Sequence, residues 1–77
     1  MKAKKPPPQT ARTRLAANLR LARKERQISQ EELADRAEID RSFVGSVERC
    51  ERNISIDNIE RLSVALGMDV ADLLKKA

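Results

Sequence analysis

Residues 30–49 read QEELADRAEIDRSFVGSVER. The stretch holds two short helix patterns, each preceded by a residue that caps helices well. Ser29 stands before the first, with Glu32 three positions on, the spacing of a capping box. Asp40 stands before the second, which starts Arg41-Ser42-Phe43. Only Glu38-Ile39-Asp40 separates the two patterns, which leaves room for a sharp corner. Two helices joined at a steep angle by about three or four residues form a helix-turn-helix. The second helix of such a pair is the one that enters the DNA major groove.

Upstream, Leu15, Leu19 and Ala22 follow the helical period, which predicts a first helix from Ala11 or Arg12 to Arg26. Arg12, Arg20, Lys24 and Arg26 are expected in solvent or near phosphate, and Leu21 falls off the apolar stripe. Gln27 sits where a helix-ending residue takes the left-handed conformation, a place glycine fills at lower cost. Ile28 is then expected in the core, ahead of the Ser29 cap. Residues 1–10 (MKAKKPPPQT) have nothing to pack and are expected to form an extended basic arm, either a DNA-contacting arm or a solubilising tail.

Downstream, Cys50-Glu51-Arg52-Asn53 reads as a loop. A fourth helix is expected over Ile56 to Leu66, capped by Ser55 and stopped by Gly67, with Ile56, Ile59, Leu62 and Leu66 inward. A fifth, Val70 to Lys75, starts at Asp69; its Val70, Leu73 and Leu74 exceed what one core needs and suggest a dimer interface. The expected fold is all-α, one five-helix domain over 11–77 after the arm.

Composition narrows the function. Among 77 residues there is no histidine and one cysteine, Cys50, which excludes an internal disulfide and any ordinary zinc site. With no Gly-rich phosphate loop and no paired catalytic groups, neither an enzyme nor a metal or cofactor site is expected. No apolar run approaches a membrane span and no signal peptide is visible, so no membrane is expected and the cytoplasm is the expected location. The net charge of +4 is unevenly spread: Met1 to Ser29 carries nine basic residues and one acidic, whereas Gln30 to Asp40 carries one basic and five acidic. A basic N-terminal third suits a polyanion.

The second helix of the pair should turn Val44 and Val47 inward and present Arg41, Ser42, Gly45, Ser46 and Arg49. Arginine bonds bidentately to guanine, serine hydroxyls adapt, and a bare glycine admits close approach. Arg41, Ser42 and Ser46 are therefore expected to read bases. Phe43 has two readings, contact with a thymine methyl or packing against its neighbours. Gln30, at a helix start, together with Arg49, Arg52, Asn53, Ser55 and Arg20, is expected to meet phosphates. The acids Glu31, Glu32 and Asp35 are expected on a solvated face turned away from DNA.

Ser-Gln-Glu-Glu-Leu-Ala at 29–34, Val-Glu-Arg at 47–49 and Leu-Ser-Val-Ala-Leu-Gly-Met-Asp-Val-Ala-Asp-Leu-Leu at 62–74 resemble the Cro/C1-type (XRE) helix-turn-helix family. Asp40-Arg41-Ser42-Phe43 with Arg52-Asn53-Ile54-Ser55 further resembles the controller proteins of restriction–modification systems. The resemblance implies a lambda-repressor-like five-helix domain and a homodimer with helix 5 near its interface. It also implies a palindromic double-stranded DNA operator, and RNA polymerase is a further candidate partner. Within the domain it implies an ion pair between Arg23 and Glu48. The implied function is a transcriptional regulator, with an antitoxin-type or phage-type repressor directed mainly at another protein as the alternative. Two residues depart from the family pattern: Gln27 stands for a usual glycine, and Cys50 for a usual Asn or Gly.

Overall fold

A computed structural model of the chain describes residues 10–76. The expected arm lies outside the described residues, except for Thr10. Five helices and no strand make up the described part: α1 (Ala11–Glu25), α2 (Gln30–Ala37), α3 (Arg41–Glu48), α4 (Ile56–Leu66) and α5 (Val70–Leu74). Each starts on a short polar side chain that accepts a first-turn N–H, worth about 1 kcal/mol of helix stability. The caps are Thr10, Ser29, Asp40, Ser55 and Asp69. Thr10 thus belongs to the folded unit rather than to the arm, and it forms a full capping box with Thr13. The Ser29–Glu32 spacing delivers half of one. Ser29 Oγ accepts from the Glu32 N–H at 3.0 Å, while the Glu32 carboxylate pairs with Arg36 at 2.6 Å.

Helices α1 to α4 all stop in the same way. A backbone N–H just past each helix returns to a carbonyl five residues back: Ile28 to Arg23, Ile39 to Ala34, Glu51 to Ser46 and Met68 to Ser63, at 2.8–3.2 Å. This is the Schellman arrangement, and it needs a left-handed residue just before the donor. Those residues are Gln27, Glu38, Cys50 and Gly67, with φ between 56° and 68°. Three carry a Cβ, which costs roughly 1–2 kcal/mol in that conformation.

Three of the corners share one formula: a left-handed residue, an apolar residue and a cap, as in Gln27-Ile28-Ser29, Glu38-Ile39-Asp40 and Gly67-Met68-Asp69. The apolar residue just before a cap and the one five positions later occupy hydrophobic-staple positions. Ile28 and Leu33, Ile39 and Val44, Ile54 and Ile59, and Met68 and Leu73 stand in this relation, all in the core or packed against it. The chain is thus redirected and anchored at the same places.

Around the core, α1 packs on α3 and α5, and α2 packs on α3 and α4. Leu15, Leu19, Leu33, Val44, Val47, Leu62 and Leu73 are almost fully enclosed; burying each such side chain contributes about 1.5–3 kcal/mol. Several expectations need correction. Ile56 is 65% exposed because it opens α4 ahead of the inward stripe, and Ile54 packs on the core instead. Arg26 is exposed as expected but is also engaged: its Nε donates to the Leu66 carbonyl and its Nη1 to that of Ala22, tying the end of α1 to the end of α4. Helix α5 stops at Leu74, one residue early. Its Leu73 carbonyl and the Lys75 carbonyl beyond it both accept from buried Asn18 Nδ2, at 3.0 and 2.9 Å.

Candidate nucleic-acid interface

Helix α3 is fixed at both ends, by different means. At its start, Asp40 accepts from the N–H and the hydroxyl of Ser42, both at 2.9 Å. The Ser42 N–H and hydroxyl bonds hold the Asp40 carboxyl below the usual range, with smaller help from the charges of Arg41 and Arg52. Along its length Val44 and Val47 plug the core.

At its end, Glu48 is 3% exposed and accepts three side-chain bonds. Arg23 spans it in fork fashion, Nε to Oε2 at 2.9 Å and Nη2 to Oε1 at 3.1 Å. Gln30 Nε2 adds a third at 2.9 Å. The remaining nitrogen of the fork, Arg23 Nη1, donates to the Ile28 carbonyl at 3.1 Å, and Arg20 donates to the Glu48 carbonyl. The Glu48 hydrogen bond, opposed by burial and helped by its charge, raises Arg23 further above its already high value. The Arg23–Glu48 pair implied by the resemblance is present. It joins α1, the corner before α2, and α3 at one point.

The expected DNA-facing residues divide accordingly. Arg41 and Ser42 are exposed and line an open groove of about 630 Å³, together with Arg49, Gly45, Gln30 and Glu31. Ser46 does not join them. It is 8% exposed and its hydroxyl donates to the Phe43 carbonyl at 2.9 Å, so that donor is already used within α3. Phe43 is half-buried against the core with Arg52 5.6 Å from its ring centroid, so one ring face meets a cation of the protein itself. The space at Gly45 is likewise used internally: a Cβ there would stand 3.1 Å from Arg49 Nη1 and 3.4 Å from Gln30 Oε1.

Glu31 is solvated, as expected, and has a place in the groove as well. It lines the groove and faces Arg41 at 3.7 Å, both side chains about two-thirds exposed. Such a pair stabilises little. Of the expected phosphate ligands, Arg49 is exposed and pairs loosely with Glu51 at 3.1 Å. Asn53 Oδ1 accepts from Arg12 at 3.3 Å, and Ser55 Oγ caps α4. Arg20 and Gln30 are both engaged at Glu48. Sequence reasoning missed the Gln30 bond because its distance along the chain, eighteen residues, carries no periodic signal.

Comparisons with known proteins agree with this geometry. A family model described as Helix-turn-helix matches residues 19–73. A hypothetical transcription factor of Neisseria meningitidis serogroup B is 44% identical over 72 residues, which cover 94% of this chain and 68% of that protein. The crystal structure of a hypothetical transcription factor from Neisseria has a TM-score of 0.85 at 43% identity, covering 97% of this chain and 86% of the other. Control protein C.SmaI of Serratia marcescens is 40% identical over 80% of this chain and 74% of its own length. The restriction–modification controller protein C.AhdI from Aeromonas hydrophila has a TM-score of 0.78 at 40% identity, covering 80% of this chain and 94% of the other.

Proposed function

Since the chain belongs to the XRE-type helix-turn-helix family of DNA-binding regulators, we propose that it acts as a homodimer on a palindromic operator, as the controller of a restriction–modification system. The observation that carries this reading is the mounting of α3: Arg41 and Ser42 stand exposed on a helix whose far end is clamped through buried Glu48. A helix held this firmly presents side chains to base edges at a fixed register, as direct readout requires. Similarity to control proteins narrows the class.

In this reading Arg41 and Ser42 read bases, while Arg49, Arg52, Asn53 and the N-terminal end of α2 meet phosphates. Leu73 is consumed by the core, so the apolar surface left for a second subunit is centred on α4, where Ile56 and Val64 are 65% and 73% exposed, with half-buried Val70 and Leu74 on α5. No helix among the described residues is long and apolar enough to cross a membrane. The role involves no catalytic step and belongs in the cytoplasm, where an activating regulator would also meet RNA polymerase.

Random-sequence selection followed by gel-shift titration tests the proposal. The expected result is a two-fold symmetric site bound by two chains, with Arg52→Ala weakening all sequences alike and flattening the salt dependence by about one unit of slope per chain. Binding that shows no sequence preference, or a single chain per site, contradicts it.

A further inference from the structure

The Gln30 amide is oriented by its partner. A carboxylate only accepts hydrogen bonds, so the atom 2.9 Å from Glu48 Oε1 is the amide nitrogen. Turning the amide over would set a carbonyl oxygen against a buried anion. The Gln30 carbonyl therefore faces α3, with Oε1 3.4 Å from where a Cβ on Gly45 would stand. Arg49 Nη1 lies 3.1 Å from the same point. The bare Gly45 backbone is thus flanked by a neutral acceptor and a cationic donor, in the groove that Arg41 and Ser42 also line.

A phosphate offers only acceptors and is repelled by a carbonyl oxygen. In the major groove the donors that match one are the exocyclic amines, N4 of cytosine and N6 of adenine. We infer that Gln30 is a base-reading residue that accepts a hydrogen bond from such an amine, rather than a phosphate ligand, and that Glu48 sets this specificity by holding the amide in one orientation. Gly45 adds no Cβ beside the acceptor, where one would stand 3.4 Å from Oε1. The inference rests on the DNA-binding proposal above.

The test is sequence selection and salt titration on the full chain, with Gln30→Met and Gly45→Ala as variants. Methionine keeps the side-chain length and removes both amide groups. Wild type should fix cytosine or adenine at one position of each site, the base chosen identifying which amine is read. Gln30→Met should lose that preference by roughly fivefold to a hundredfold at that position alone, with the salt slope unchanged. Gly45→Ala sets a Cβ 3.1 Å from Arg49 Nη1 and 3.4 Å from Gln30 Oε1, which crowds the acceptor, and should blur the same position. A melting curve checks that each variant folds; if Gln30→Met does not, Gly45→Ala decides alone. Uniform weakening on every duplex with a shallower salt slope would make Gln30 a phosphate ligand and overturn the inference, as would an unchanged preference in both variants. A wild-type chain that selects no sequence overturns the DNA reading itself, which is a different result.

Discussion

Of the carboxylates in the helix-turn-helix that face arginines, Glu48 and Glu31 have opposite weight. Glu48, at the end of α3, is 3% exposed and is held by Arg23 and Gln30. Glu31, beside the start of α3, faces Arg41 at 3.7 Å in solvent. An exposed pair is screened by water and contributes little; a buried one is costly to break because a lone charge is left without water. One end of α3 is therefore mounted on the domain, while the other keeps side chains that exchange partners without cost to the fold. Rigidity at the base and adaptability at the tip follow from burial alone.

Breaking the mounted end should have the largest effect. Arg23→Ala leaves Glu48 buried and unpaired, and denaturant unfolding should show a loss of about 3–5 kcal/mol. Combining it with Glu48→Ala should cost less than the two single losses added, since the second change removes the stranded charge. Simple additivity would mean that the two side chains do not act as a unit.

At the exposed end, Arg41→Ala should leave the unfolding curve unchanged and weaken operator binding by about 1–3 kcal/mol, relaxing preference at one base pair per half-site. Lost stability in that variant would erase the contrast between the two ends.

The corner beneath the clamp offers a smaller, stabilising change. Gln27 is exposed at φ 56°, so Gln27→Gly relieves Cβ strain and loses little packing. The gain, offset by the greater freedom of an unfolded glycine, should be about 0.5–1 kcal/mol, a rise in melting temperature of a few degrees.

The smallest effect is a pH dependence at the exposed end. The Asp40 carboxyl titrates below its ordinary value when folded. Its contribution is therefore fully present above the unfolded value, near pH 4, and is lost as pH falls through the lowered folded value. Asp40→Asn should remove that part of the acid-side slope and lose, at neutral pH, the small contribution that the ionised carboxyl makes.

The helices, their caps and most of the core were legible in the chain, because each depends on residues a few positions apart. Ser29, Asp40, Ser55 and Asp69 cap the helices expected of them, and Leu15, Leu19, Val44, Val47 and Leu62 are inward as their spacing implies. The left-handed turn at Gln27 was also readable. Those at Glu38 and Cys50 were not, since neither residue type favours that conformation and only the packing of the flanking helices requires it.

The candidate site was legible in part. Local order identified α3 and its outward Arg41 and Ser42, and family resemblance supplied the Arg23–Glu48 pair. What the chain could not reveal is which polar groups are already taken. Ser46 spends its hydroxyl on Phe43, Arg20 its guanidinium on the end of α3, and Gln30 its amide nitrogen on Glu48. Residue type and periodicity determine what a side chain can offer; whether it still offers it is set by its neighbours, three residues away for Ser46 and 18 to 28 for Gln30 and Arg20. Hydrogen-bonding capacity is limited and directional, so its allocation was decided only once the helices had packed.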